Sequence, residues 1–467
     1  MREDVKHPAV LVLPDELANE IDAVARLPVE TAGVLLASVF TTPRGNTRIL
    51  GRKIRWVTES AYIRRGGDHL SIASEGYVPS LAEAEALKAT AFWVHTHPGS
   101  DAWPKPSTHD EEVDRQISDL FRLRAENPYY GAVIFSPRRQ GLAFTGYVQA
   151  EGSPRLQIGR LWAVGDRFSL TQAFDLPAAE IPPIFDRSVR AFGGAIQQAL
   201  GQLRVGIVGC GGTGSAVAEQ LVRLGVRFFS LFDPDHLSLS NVTRVYGSTP
   251  SDVGKLKPEV LAANLGRIAP DTECDIVTSM ITMEPVALRL SDCDIVFGCT
   301  DDNAGRLVLS RLSTYLLVPV IDCGVLLTAD ANDALAGIDA RVTTLVPGQA
   351  CLVCRSRIDL ARAAAELLTP EERHRREDEG YAPALGRVEP AVVAYTTLVA
   401  AAAVSELIER FVGYGPEPRP SEVLLRCHDR EISTNIDSPR KGHYCHPSSG
   451  KMGIGLTHPF LEQTWPD

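Results

Sequence analysis

Two groups of residues in this 467-residue chain are spaced for chemistry. The first lies in VGIVGCGGTGSAVAEQLVRLGV (205–226), where an apolar run breaks into Gly209, Gly211, Gly212 and Gly214 and then into a helical pattern. Glycines at such a strand-to-helix turn let the backbone bend sharply. They also let a phosphate approach the amides at a helix N-terminus, where the dipole favours negative charge. The next apolar strand ends at Phe232 and runs into Asp233 and Asp235, about twenty residues on, where a carboxylate meets a ribose hydroxyl. Asn241, Arg244 and Lys257 follow, and a later strand ends in TDDNAGR, with Asp301 at its C-terminal end and Arg306 one helical turn on. Hydride transfer needs no cluster of cations beside the phosphates. Cations with an extra carboxylate for magnesium suit attack on an α-phosphate instead.

The second group lies in AFWVHTHPGSDAWPKPSTHDEEV. Side chains alternate along a strand, so His95 and His97 point the same way, as two zinc ligands must. Ser107 opens a helix three residues before Asp110, and Glu30 is the odd charge ahead of the apolar run AGVLLASVF. Taken singly, Glu30 reads as a solvated carboxylate at a strand entry, the histidines as a solvated strand end, and Ser107 with Asp110 as a helix cap. Further on, VPGQACLVC supplies Cys351 and Cys354. Without a thioredoxin-like context, this CxxC reads as half a zinc site ahead of a redox pair. Cys445 is the expected third ligand. The fourth stays open, with His443 and His446 beside it and Cys427–His428 upstream.

Alternating strands and helices must position these residues. The pattern predicts a strand at 9–13, a helix at 14–25, and a helix from Ser107 whose buried face is Val113, Ile117, Leu120 and Phe121. In the second half, buried strands such as LVPVIDCGV alternate with helices, as in a doubly wound parallel sheet, and 391–412 reads as one long helix. The expected division is a domain at 1–155, a linker at 156–182 and a domain at 183–467. The segment LLTPEERHRREDEGYAPALGRVEP reads as a solvated loop.

Apolar residues at 44% and charged residues at 22% describe an ordinary globular chain. A net charge of −11 argues against a nucleic-acid partner, since phosphate neutralisation needs a basic face. No signal peptide or membrane span is read, and nine scattered cysteines fit a reducing compartment, so the expectation is a cytoplasmic protein.

GCGGTG, DPDHLSLSNVTR, the VGKLK that carries Lys257, and CTDDNAGR together resemble the ThiF/MoeB and ubiquitin-activating family over roughly 180–450. The resemblance implies a Rossmann-like fold that adenylates the C-terminal carboxylate of a ubiquitin-like protein with ATP and Mg²⁺. Asp233 and its neighbour Asp235 would lie at the ribose, Asn241, Arg244 and Lys257 at the triphosphate, and Asp301 at magnesium. FDRSVRAFG resembles the segment whose arginine, here Arg187, reaches into a partner subunit's site, which implies a homodimer. These enzymes often carry a structural zinc held by two CxxC pairs. Thioester-forming members carry a nucleophilic cysteine after the first CxxC, but here none occurs between Cys354 and Cys427. Either a conjugating enzyme brings its own cysteine as partner, the favoured reading, or a cysteine elsewhere serves, although Cys210 in the glycine loop and Cys323 in an apolar strand read as buried and inert.

Glu, His-x-His-Pro and Ser-x-x-Asp together resemble the JAMM (JAB/MPN) metalloprotease motif over roughly 8–150, implying an α/β domain with a cytidine-deaminase-like mixed sheet. His95, His97 and Asp110 would then ligate zinc, Glu30 would shuttle a proton between water and the leaving amine, and Ser107 would stabilise the oxyanion. The nine residues between His97 and Ser107 are more than the family pattern has. The implied protein joins a zinc peptidase that processes a ubiquitin-like modifier to an enzyme that activates it. The alternative is a sulfur-carrier activating enzyme, forming a thiocarboxylate, with a JAMM processing peptidase.

Overall fold

A computed structural model describes residues 8–67, 70–99, 103–139, 141–173, 181–329, 335–369, 371–372 and 391–466. The chain forms two compact units, Met1–Glu180 with Met452–Leu456, and Ile181–Lys451 with Thr457–Asp467.

The first unit is built on one mixed sheet. Its strands are β1 (Ala9–Pro14), β2 (Ala32–Thr41), β3 (Thr47–Trp56), β6 (Thr90–Thr96), β7 (Tyr129–Pro137), β8 (Leu142–Ala150), β9 (Leu156–Val164) and β10 (Ser169–Gln172); a separate two-stranded ribbon pairs β4 (Tyr62–Arg65) with β5 (Leu70–Ile72). The order is β1-β3-β2-β6-β7-β8-β9-β10, and β1 also pairs with β9, so the sheet closes on itself. Alternation along β6 sends Phe92 and Val94 into one core, shared with Leu17 and Ile21 of α1 (Asp15–Ala25). Ala91 and Trp93 enter the other core, shared with Leu81 of α2 (Val78–Ala86) and Phe121 of α3 (Thr108–Ala125). His95 continues the second face, the one α3 covers.

The stretch expected to be a linker, 156–182, instead carries β9 and β10. β9 pairs in parallel with β1 from Ala9↔Ile158 to Pro14↔Val164. Its residues Ile158, Leu161, Trp162 and Val164 are buried, and burial there supplies the free energy that a free linker would forgo. Residues 174–180 of the Pro-containing part lie outside the described residues.

On α3, Phe121 is buried as expected, while Val113, Ile117 and Leu120 are only half-buried. The buried acid Asp114 is what ties this helix to the sheet. It accepts from the hydroxyls of Tyr130 (2.6 Å) and Tyr147 and from Arg155 Nη2 (2.6 Å). Burial, followed by the Asp114 carboxylate, pushes both tyrosine hydroxyls well above their ordinary range, so they remain donors. Asp114→Ala should destabilise this unit by about 2–4 kcal/mol, because buried hydroxyls lose their acceptor. The check is the unit's own unfolding transition in calorimetry.

The second unit contains a sheet of order β13-β12-β11-β14-β15-β16-β17-β18. β11 (Arg204–Val208), β12 (Phe228–Phe232), β13 (Glu273–Val277), β14 (Ile295–Gly298) and β15 (Val320–Ala329) run parallel. β16 (Leu335–Leu345), β17 (Glu422–Arg426) and β18 (Glu431–Asn435) extend it antiparallel. Before β11 come α4 (Asp186–Phe192) and α5 (Gly194–Gln202); α6 (Gly212–Arg223), α7 (Lys257–Ile268), α8 (Glu284–Leu288) and α9 (Asn303–Tyr315) connect the parallel strands. This is the expected α/β doubly wound, Rossmann-type arrangement. The long helix spans Val393–Val412 and packs its small residues Ala400 and Ala403 on α6, β15 and β16. Residues 373–390 of the charged segment lie outside the described residues. Among the described residues no helix is long and apolar enough to cross a membrane.

Candidate functional site

In the second unit the parallel strands end at an open cleft of about 1160 Å³. β11 delivers Gly209, which has φ +90°; a Cβ there would stand 2.7 Å from the Cys299 carbonyl oxygen. A Cβ on Gly214 would stand 1.8 Å from the Gly209 carbonyl oxygen, so only glycine lets α6 start directly on the loop. Gly211 and Gly212, at the N-terminus of α6, line the cleft, whereas Gly214 acts in packing beneath it. A phosphate at these amides would meet the positive end of a helix of twelve residues.

Asp233, at the end of β12, is buried and accepts from the Cys210 amide (2.7 Å) and the Asp235 amide (2.9 Å). Burial raises its carboxyl above the ordinary range, with Lys257 opposing. Lys257 Nζ bonds Asp235 Oδ2 at 2.6 Å and stands 4.0 Å from Asp233 Oδ1. Asn241 and Arg244 line the same wall; Arg244 Nη1 donates to the Ser240 carbonyl (3.1 Å), leaving the rest of its guanidinium toward the cleft.

The Asp-Asp pair after β14 divides its work. Asp302 caps α9, accepting from the Gly305 amide and the Thr300 hydroxyl. Asp301 is exposed in the cleft and has no hydrogen-bond or ion-pair partner among the described residues. A hard cation takes carboxylate oxygen, so Asp301 is the side chain that fits magnesium. Arg187 lies exposed on α4 and does not line the cleft. Among the lining residues that sequence reasoning missed are Thr396 of the long helix, Arg341 of β16, and Arg357 and Arg362 before and on α10 (Leu360–Glu366).

In the first unit, β6 and the start of α3 bring His95, His97 and Asp110 together, with one donor atom from each lying within 4.8 Å of the others. His95 Nε2 and His97 Nε2 are 3.2 Å apart, and His95 Nε2 is 3.3 Å from Asp110 Oδ1. Asp110 Oδ2 accepts from the Ser107 amide (2.7 Å) and hydroxyl (2.8 Å), completing a capping box. The cap and the cluster thus coexist: Oδ1 faces His95, while Oδ2 takes the Ser107 bonds and lies 3.7 Å from His97 Nε2. Burial works to raise the Asp110 carboxyl, but hydrogen bonds from the two imidazoles hold it well below the usual range. Glu30 is not solvated: it is 8% exposed, with Oε1 3.9 Å from His97 Nε2. Two imidazole nitrogens and a carboxylate converging on one point match a three-ligand zinc site with an open fourth position.

The other donor set is Cys351, Cys354, His443 and Cys445. Cys354 Sγ lies 3.6 Å from Cys445 Sγ, and His443 Nδ1 lies 3.5 Å from Cys351 Sγ and 3.3 Å from Cys445 Sγ. The Arg440 amide points at Cys354 Sγ (3.4 Å). Hydrogen bonding with Cys445 draws the Cys351 thiol down and raises that of Cys445. The structure selects His443 over its neighbours as fourth donor, because His446 caps a short helical turn and His428 Nδ1 meets the Ile338 amide at 3.2 Å. Three sulfurs and a nitrogen fit tetrahedral zinc. Purified protein should carry zinc here, and His443→Ala should weaken its retention about 10-fold or more and lower the unit's melting temperature, as read by metal analysis and calorimetry.

The profile of the ThiF family matches residues 185–445, more than half of the chain. The chain belongs to the ThiF family. The ThiF-family stretch takes in the whole cleft lining and all four Cys/His donors. The chain is 30% identical over 176 residues to ubiquitin-like modifier-activating enzyme 5 of Oryza sativa subsp. japonica, covering 35% of this chain and 40% of that protein. It is 31% identical over 164 residues to molybdopterin-synthase adenylyltransferase of Escherichia coli, covering 35% and 62%. It is 30% identical over 160 residues to the sulfur carrier protein ThiS adenylyltransferase of Escherichia coli, covering 34% and 60%. The matches thus span less than two thirds of each relative. Among solved structures, Escherichia coli MccB aligns at 18% identity and TM-score 0.43, covering 58% of this chain and 73% of that one.

Proposed function

We propose that the ThiF-family unit adenylates the C-terminal carboxylate of a ubiquitin-like protein. The observation that carries this reading is Asp301, unpartnered among the described residues and facing a cleft that also holds Arg244, Lys257 and the glycine loop. The glycine-loop amides would receive phosphate oxygens, and Asp233 the ribose hydroxyls. Magnesium at Asp301 would offset phosphate charge. Arg244 and Lys257 would stabilise charge developing as the carboxylate oxygen attacks the α-phosphorus and the bond to pyrophosphate breaks. The chain supplies no cysteine between Cys354 and Cys427, so the acyl-adenylate would pass directly to a partner's cysteine. Burial pushes the Cys210 thiol well up, and a hydrogen bond with Cys323 together with burial does the same for Cys299, which makes both poor nucleophiles. Homodimerisation through Arg187 belongs to the same proposal.

We infer that the first unit is a JAMM-type zinc peptidase that trims or releases the same modifier. Zinc held by His95, His97 and Asp110 would supply Lewis acidity. Glu30 would take a proton from water and return it to the leaving amine, and the Ser107 hydroxyl would face the developing oxyanion. Cleavage exposes the carboxylate that the second unit activates.

A second reading, activation of a sulfur carrier to a thiocarboxylate, is favoured by the likeness to the two Escherichia coli adenylyltransferases. Pyrophosphate exchange into ATP, driven by ubiquitin-fold proteins ending in Gly-Gly, tests both readings. Exchange that vanishes in Asp301→Ala supports adenylation, and transfer to a cysteine rather than to sulfide separates conjugation from sulfur transfer. Absence of exchange with every such protein overturns both.

A further inference from the structure

We propose that Asp322 is a positioning residue that yokes Arg306 and Arg341 into one fork, and that this fork holds the C-terminal main chain of the protein being activated. The inference rests on the reading of the cleft as an adenylation site. Asp322 lies on β15, opposite Gly298 of β14 on one side and Thr343 of β16 on the other, with its side chain fully buried. Space for that carboxylate exists because residue 298 is glycine; a Cβ there would stand 3.3 Å from Asp322 Oδ1. Asp322 Oδ2 accepts from Arg341 Nη2 at 2.5 Å, and Oδ1 stands 3.4 Å from Arg306 Nε.

Two residues on, Gly324 pairs with Arg341 across the β15–β16 ladder. A Cβ on Gly324 would meet Arg341 Nη2 at 3.3 Å and Arg306 Nη2 at 3.6 Å, so both guanidinium tips converge over one bare stretch of backbone. Arg306, Gly324 and Arg341 all line the cleft. Two guanidiniums side by side repel each other, and the buried carboxylate between them offsets that cost while needing both for its own desolvation. Glu422 on β17, likewise buried, stands 3.9 Å from Arg341 Nε and is bound by Arg357 through Nε (3.0 Å) and Nη2 (2.7 Å), which steadies the far side.

The pairing is incomplete. Asp322 Oδ1 and Arg306 Nε face each other at 3.4 Å, and Arg341 Nε faces Glu422 at 3.9 Å, so these buried atoms are held by charge rather than by full hydrogen bonds. At the cleft the two guanidiniums carry further N–H groups beyond Arg306 Nη2, which donates to the Cys323 carbonyl (3.2 Å), and Arg341 Nη2, and the carbonyl oxygens of an extended peptide suit such donors. Sheet order supplies the direction. Asp301 follows β14, which separates β11 and its glycine loop from β15. A nucleotide on the β11 side leaves the β15 side for the incoming carboxylate.

The test uses the full chain, ATP–pyrophosphate exchange, and a ubiquitin-fold protein ending in Gly-Gly that supports exchange in the wild type. Asp322→Asn and Arg341→Gln should each raise KM for that protein about 10-fold, with KM for ATP and the Kd of a non-hydrolysable ATP analogue unchanged. An unchanged protein KM in both variants, or in Arg341→Gln a loss of ATP affinity equal to the rise in protein KM, overturns the proposal. If Asp322→Asn fails to bind the analogue, Arg341→Gln carries the test alone. A wild type without exchange defeats the adenylation reading instead. The yoke is then still read by phenylglyoxal labelling: Arg306 and Arg341 should label faster in Asp322→Asn, and equal rates overturn it.

Discussion

Replacing Lys257 by alanine should lower ATP–pyrophosphate exchange by about 10²–10³-fold, the usual loss when one preorganised donor to developing charge is removed. The ammonium is already fixed, bonded to Asp235 and 4.0 Å from Asp233, so little reorganisation precedes the reaction. The same variant should show a second effect. Burial raises the Asp233 carboxyl, and Lys257 heads the influences that oppose this rise. With Asp233 at the ribose as proposed, ATP affinity should be full above that carboxyl's pKa and fall as pH drops through it. Without Lys257 the pKa climbs, and the fall should begin at a higher pH. Binding of a non-hydrolysable ATP analogue across a pH series would read the displacement, and coincident profiles would show that Lys257 does not govern Asp233.

On the proposed peptidase reading, Glu30→Gln should lower cleavage of a C-terminally extended or isopeptide-linked ubiquitin-fold protein by about 10²–10⁴-fold while leaving metal content unchanged. The distinction follows from position. Glu30 stands beside His97, with its amide bonded to the Gly66 carbonyl (2.7 Å) and its carbonyl bonded to Arg65 Nε (3.0 Å). That fixed backbone keeps the carboxylate within reach of the cluster without making it one of the three converging ligands. His95→Ala should lose both metal and cleavage. Cleavage that survives Glu30→Gln would remove the residue from the reaction and leave the cluster as a metal site of another purpose.

Local patterns were readable in the chain, and distant pairings were not. The glycine loop, the acids after β12 and the alternating buried strands declare themselves within a few residues of sequence, which is why the parallel sheet was legible. The division of labour between Asp301 and Asp302 was not, because only the folded turn shows which carboxylate caps α9. Asp114 looked like one more charge on a charged helix, yet its partners lie 16, 33 and 41 residues away. Asp322, Arg341 and Glu422 meet only because three strands align, and sequence spacing carries no trace of that. His443 could have been singled out by its place two residues before Cys445, but its neighbour His446 offered the same residue type.

The closure of the first sheet bears on how that unit can be handled. β1 is made well before its partner β9, which ends only at Val164. A chain cut at 155, the boundary that sequence alone proposes, would leave one long side of β1 without the strand that covers it. Bare strand edges recruit other chains. Such a fragment should precipitate or form mixed oligomers, whereas one ending beyond Gln172 should stay dispersed. During synthesis the same dependence delays completion of the ring until its last strands leave the ribosome.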